Sequence, residues 1–138
     1  AYLRLSHFHQ IFFFGLKRVS ILLEKITKHV DYAQMRRGHI ISTSGFILQG
    51  RARNSDSLVN PNVARYGLTC SKRIGNAVKR NRAKRRLRSL ATNILPRSGL
   101  AGWDYVLIGK INSTESLTFN TLKENLSIAL AKMHNRGK

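Results

Sequence analysis

Between Lys72 and Arg88 the chain concentrates the residue types that hold phosphate: Lys72, Arg73, Lys79, Arg80, Arg82, Lys84, Arg85, Arg86 and Arg88, with Asn76 and Asn81 among them. A guanidinium presents a planar fork of N–H donors that matches phosphate oxygens two at a time, while an ammonium acts as a compact point charge. A merely solvated charged face interleaves acids with its cations. Here no Asp or Glu occurs from Ser57 to Trp103. The whole chain repeats the imbalance, with 25 Lys plus Arg against 6 Asp plus Glu and a formal net charge of +19. Such crowding opposes folding through self-repulsion, and it gives the surface a field that attracts polyanions, nucleic acid first among them.

Other chemistries find few residues to carry them. Six scattered acids offer no pair for metal-assisted or general acid–base hydrolysis, and Glu115 and Glu124 read as ordinary helix-end residues. The single cysteine, Cys70, excludes an internal disulfide and a thiolate zinc site; alternating with Tyr66 and Leu68, it reads as a small core residue. The five histidines show no metal-site spacing beyond the His7/His9 pair. Ile11 to Phe14 with Leu16 form an apolar patch too short to span a bilayer, and Lys17-Arg18-Val19-Ser20 lacks the small residues of a signal-peptide cleavage site. Residues 1–20 read as an amino-terminal extension, a fragment end or a product of start-site choice and carry none of the functional argument, and residues 21–138 read as one RNA-binding domain of ordinary size.

The elements that must position the cationic segment follow from periodicity. Leu22, Ile26, Val30 and Ala33 recur at helical spacing before a stop at Gly38, which predicts a first helix. Gly45 to Arg53 and Arg65 to Ser71 read as strands, joined by a loop rich in Asn, Ser and Pro. A helix is expected from Asn76, as N-cap, to about Ile94, ended by Pro96. Its wheel gathers Ala83, Leu87, Leu90, Ala91 and Ile94 on one face, spreads Asn81, Arg82, Arg85, Arg86 and Arg88 over the other, and places Arg80 nearer the packed side. Asp104 to Gly109 reads as a third strand, and a last helix runs from Phe119 with Leu122, Leu126, Ala129, Leu130 and Met133 in register. The order predicts an α+β fold, a two-layer α-β sandwich with helices stacked on one side of a small sheet.

The basic helix breaks a local rule. Helix dipoles favour acids in the first turn, yet Lys79 and Arg80 stand there with Lys72 and Arg73 just upstream. Free N–H groups at a helix start already attract phosphate, and added cations deepen that preference.

The run Ser71-Lys72-Arg73-Ile74-Gly75-Asn76-Ala77-Val78-Lys79-Arg80-Asn81-Arg82-Ala83-Lys84-Arg85-Arg86-Leu87-Arg88 closely resembles the signature of the bacterial ribonuclease P protein family, with Arg80-Asn81-Arg82 as its central triplet. The resemblance continues through Thr27-Lys28, Asp31-Tyr32, Gly38, Gly45-Phe46-Ile47-Leu48, Arg65-Tyr66-Gly67-Leu68, Asp104 to Ile108 and Phe119, covering Ile26 to Met133. It implies a left-handed βαβ crossover at the basic helix, against the usual hand. It also implies a protein subunit of a ribonucleoprotein endonuclease that removes the 5′ leader of precursor tRNA. The partner RNA then carries catalysis with Mg2+, and this chain supplies no catalytic residue and binds no metal or cofactor of its own. Carried residue by residue, the resemblance assigns Lys72, Arg73, Asn76, Arg80, Asn81, Arg82, Lys84, Arg85 and Arg88 to the catalytic RNA. It assigns Tyr32, Phe46, Leu48 and Arg65 to a cleft for the single-stranded leader. Aromatic platforms beside cations suit single strands. The chain departs from the family in carrying Gln49 and Arg36 or Arg37 where aromatics are common. The expected setting is cytoplasmic, with catalytic RNA and precursor tRNA as partners, no membrane and no obligate protein partner. A structural or ribosomal RNA-binding protein, a protein-only nuclease and a DNA-binding protein with its helix in a major groove are the competing readings; the motif separates the first, and the scarcity of acids the second.

Overall fold

The computed structural model describes residues 20–135, so the expectation for an amino-terminal extension lies outside the described residues up to residue 19. Along the chain come β1 (Leu22–Lys25), α1 (His29–Gln34) with a 3-10 turn at Met35–Arg37, β2 (His39–Ser42), β3 (Phe46–Ala52), β4 (Val63–Thr69), a 3-10 turn at Lys72–Ile74, α2 (Ala77–Ser98), β5 (Trp103–Gly109), the short α3 (Ser113–Ser116) and α4 (Phe119–Asn135). The strands form one sheet in the order β1-β4-β5-β3-β2. β4 and β5 are parallel neighbours joined through α2, which makes the βαβ crossover; β3 runs antiparallel to β5 and β2, and β1 is parallel to β4.

Alternation along the strands decides what covers each face. Phe46, Leu48, Ala64, Tyr66, Tyr105 and Leu107 point to one side, where they form the main core with Leu87, Leu90, Leu95, Leu122, Leu126 and Met133 of α2 and α4. Val106 points the other way, into a smaller cluster with Ile26 and Met35 against which Tyr32 and Ile108 pack. The two long helices thus share one face, and α1 lies on the opposite one, which corrects the expectation of all helices on a single side.

Three further expectations change. The residues from Leu22 form a strand before the helix, because only Leu23 of β1 packs on the main core, while Ile26, beyond the strand, turns into the cluster on the other face. β2 was not expected; it pairs with β3 through Ile41 opposite Leu48. α2 runs past Pro96 to Ser98. A proline removes one helical N–H, but here the last turn is held by buried Leu95, by Gly99 N–H donating to Leu95 O (2.8 Å) and by Ile21 N–H donating to Pro96 O (2.9 Å).

Candidate nucleic-acid interface

The cationic segment is built from two pieces that meet at Gly75. In the turn after β4, Ser71 Oγ accepts from Arg73 N–H (3.3 Å), and Ile74 is buried, so Lys72 and Arg73 stand exposed beside an apolar anchor. Gly75 takes φ +141°, and a Cβ there would come within 2.7 Å of Lys79 Cδ. Only glycine holds this corner without strain. Asn76 then caps α2, its Oδ1 accepting from Lys79 N–H (3.0 Å), as its sequence position predicts. The first turn of α2 contains no acid.

Along α2, Asn81, Arg82, Arg85 and Arg88 are exposed, and Lys84 is half-buried. Arg82, Arg85 and Arg88 recur every three residues, about 4.5 Å of helix rise apart, opposite buried Ala83, Leu87, Leu90 and Ala91. Lys79, left out of the expected RNA-binding set, is exposed as well. Arg80 is half-buried and donates to Gly75 O (2.8 Å), so it braces the corner. Arg86 does not join the outward stripe. Its Nη1 donates to Thr114 O (3.0 Å) and Glu115 O (2.5 Å), and its Nη2 to Leu117 O (2.8 Å), so it clamps α3 to α2. Its partners lie 28 to 31 residues away, which no helical wheel reveals. Cys70, partly buried beside this segment, has its thiol pKa raised by burial, against the weaker pull of Lys84 and Arg80. Burial thus favours the protonated thiol.

The four residues expected to hold a leader divide between environments. Phe46 and Leu48 are fully buried under α4 and α2 and touch no solvent. Arg65 is also buried: its Nε and Nη2 donate to Asp104 Oδ1 (2.9 Å) and Oδ2 (2.8 Å), and its Nη1 to Asp31 (3.2 Å). The Asp104 hydrogen bonds raise its pKa, so the charge is fixed. Asp104 also accepts from Arg53 Nη1 (2.7 Å), and Arg53 braces the β3–β4 loop through Asn60 O and Val63 O. Tyr32 alone of the four is partly exposed on the face away from the long helices. Its ring lies over Gly67, where a Cβ would come within 2.7 Å of it, and its hydroxyl accepts from Leu68 N–H (3.3 Å).

On the same face as α1, the row Gly67, Val106 and Gln49 is covered at Gly67 by Tyr32 and at Val106 by the cluster with Ile26 and Met35, while Gln49 and the next row, Ile47 and Ile108, are partly exposed. Ile47 and Ile108 line a cavity of about 570 Å³ together with Ile74, Arg73 and Lys110. Lys110 is tied to Ser42 Oγ (2.8 Å) and to Thr43 O, leaving Arg73 as the exposed cation at the rim. Among the described residues no group of three or more His, Cys, Asp and Glu is placed to hold a metal, and Asp31 and Asp104 are already engaged by arginines.

The sequence model of the family described as Ribonuclease P matches residues 23–134. A protein from Ruegeria pomeroyi named "Ribonuclease P protein component" is 42% identical over 109 residues, covering 79% of this chain and 85% of that protein. One of the same name from Erythrobacter litoralis is 41% identical, covering 78% and 83%. The chain belongs to the ribonuclease P protein family. The fold agrees: the ribonuclease P protein of Thermotoga maritima superposes with a TM-score of 0.63 at 22% identity, covering 79% of this chain and 96% of that one. That of Staphylococcus aureus gives 0.59 at 24%, covering 79% and 95%.

Within the ribonuclease P protein fold, the assignment of Phe46, Leu48 and Arg65 to an RNA-contacting cleft is corrected. Neighbours on a strand face opposite sides, so the exposed surface at β3 belongs to Ile47, Gln49 and Arg51, not to Phe46 and Leu48. Arg65 holds α1 to the sheet through Asp31 and so positions Tyr32. The signal that could have found Ile47 and Gln49 is the alternation of β3 together with knowledge of which side α1 covers, and only the tertiary structure supplies the latter.

Proposed function

We propose that this protein is the RNA-binding subunit of ribonuclease P, docking the turn Lys72–Ile74 and the exposed stripe of α2 on phosphates of the catalytic RNA and assisting endonucleolytic removal of the 5′ leader from precursor tRNA. The observation that carries the reading is the row Arg82, Arg85 and Arg88, exposed on a helix whose first turn holds no acid. The α1 face of the sheet, with partly exposed Tyr32 on one side and Gln49, Ile47 and Ile108 beside the cavity that Arg73 rims, is the surface that suits a single strand: an aromatic side chain, an apolar floor and a cation from the basic segment. It replaces the buried residues named from the resemblance. The catalytic RNA supplies the Mg2+ sites and the cleavage chemistry; precursor tRNA is the second partner, and the setting is cytoplasmic. Membership of the family favours this reading over an RNA-binding scaffold without a processing role.

Reconstitution tests it. A bacterial ribonuclease P RNA transcript at low magnesium should cleave precursor tRNA faster with this protein present, and the protein alone should cleave nothing. Cleavage by repurified, RNA-free protein, or an RNA activity indifferent to the protein, would contradict the proposal.

A further inference from the structure

We propose that Glu115 is a resident competitor for phosphate at Arg82, making this position of the basic helix accept only a polyanion that brings enough other contacts to displace the carboxylate. The inference rests on the phosphate-docking reading of α2 and goes beyond it, since it concerns selectivity between RNAs.

Glu115 Oε2 lies 3.3 Å from Arg82 Nη1, and Arg82 closes the Arg-Asn-Arg triplet at the start of the exposed stripe. Among the described residues no other cation between Lys72 and Arg88 has a carboxylate partner. An ion pair this exposed contributes little to stability by itself. What distinguishes it is how firmly the fold delivers the carboxylate. Glu115 sits in α3, where the carbonyls of Thr114, Glu115 and the following Leu117 are all gripped by Arg86 from the next turn of the same basic helix. Thr114, fully buried, donates its Oγ1–H to Gly45 O (2.7 Å) and accepts from Lys110 N–H (2.8 Å), which fixes α3 to the sheet as well. The carboxylate is therefore preorganised beside a guanidinium whose side chain is still 55% exposed and open to an incoming phosphate.

A chain of net charge +19 attracts any polyanion, and a generic single strand reaches Arg82 with few accompanying contacts. Such a ligand must displace Glu115 for one phosphate contact, with no net gain in charge neutralised at that point. A structured RNA that engages Arg85, Arg88, Lys72 and Arg73 together meets the same cost against a much larger set of contacts. The competitor therefore lowers both affinities by a similar factor, which leaves a weakly held generic strand unbound at the working concentration while the larger contact set keeps the structured RNA bound.

The test uses the full chain and its Glu115→Gln, Arg82→Ala and double variants, with a 20-nucleotide poly(U) strand as the generic polyanion and a ribonuclease P RNA transcript as the structured one. Glu115→Gln keeps the side chain's shape, and Arg86 grips only backbone carbonyls, so α3 stays in place. At about 0.1 M salt, E115Q should bind poly(U) roughly 3- to 10-fold more tightly, with a log–log salt slope steeper by about 0.7, the value of one further phosphate neutralised on a single strand. The transcript should gain by a similar factor, and both gains should vanish in the Arg82→Ala background. An unchanged poly(U) affinity, or the same gain without Arg82, overturns the inference. If Arg82→Ala weakens transcript binding while E115Q has no effect, only this inference falls; if Arg82→Ala leaves transcript binding untouched, phosphate docking at that residue falls with it.

Discussion

Single positions on β3 show how one step along a strand separates core from surface. Phe46 is fully buried among Leu122 and its neighbours, whereas Ile47 faces the other side, where it lines the cavity beside Ile108. Phe46→Ala should cost about 3 to 5 kcal/mol of stability by leaving a cavity, read as a lowered denaturation midpoint. Tyr32→Ala should instead weaken binding of a precursor with a leader by about 1 to 3 kcal/mol, the worth of one base stacked on an aromatic ring, and leave mature tRNA binding unchanged; equal losses for both RNAs would assign Tyr32 to structure alone. Asp104 carries a different load, since it accepts from both Arg53 and Arg65 while 1% exposed. Asp104→Asn removes the negative charge that those two guanidinium groups share and should cost about 3 to 5 kcal/mol, measurable in urea. Arg65 shows why residue identity misleads without burial: an arginine in an RNA-binding protein reads as a phosphate ligand, and its carboxylate partner lies 39 residues further along the chain.

At the scale of elements, the basic helix was legible almost in full, because its cap, its apolar face and its cations are all local patterns. Asn76→Ala should remove the bond to Lys79 N–H and cost about 1 kcal/mol, visible as a small drop in melting temperature. β1 and β2 were not legible. Leu22, Ile26, Val30 and Ala33 satisfy a helical period, yet Leu22 and Val30 are exposed, and β1 exists because β4 offers it a parallel edge. Four-residue strands depend on such distant partners more than on their own alternation. The end of α4 carries a pH dependence. Tyr105 Oη accepts from Leu100 N–H (2.8 Å), so its own proton is free to go to His134 Nε2 (2.8 Å), while His134 Nδ1 is buried with no partner among the described residues. Burial, and then the nearby His39, lower the His134 pKa, so the fold favours the neutral ring. As pH falls, the unfolded chain takes up this proton first. The stability it supplies is therefore complete above the ordinary imidazole range near 6.5 and is lost below it. The melting temperature should fall between about pH 7 and pH 5, and His134→Gln should flatten that fall.

For the whole molecule, the sheet divides the work. The two long helices supply the core on one face, which frees the outer side of α2 for cations, α1 with Tyr32 covers part of the opposite face, and Arg73, in the turn after β4, rims the cavity over Ile47 and Ile108. The family and the basic surface were legible because they rest on a contiguous run of residues. The residues expected for the cleft, Phe46, Leu48 and Arg65, are buried instead, because their exposure depends on which face α1 covers. The net charge of +19 makes affinity alone a poor guide to docking, since any cation adds to it. Salt dependence counts the phosphates engaged. The direct measurement is the log–log salt slope for binding a ribonuclease P RNA transcript, compared between the native chain and the triple variant Arg82→Ala, Arg85→Ala, Arg88→Ala, which spares the braces Arg80 and Arg86. With melting and circular dichroism unchanged, the slope should fall by roughly 2 to 3 units, about 0.7 to 1 for each phosphate that is no longer neutralised. A folded triple variant with native affinity and native slope would contradict the assignment of α2 as the RNA-docking element.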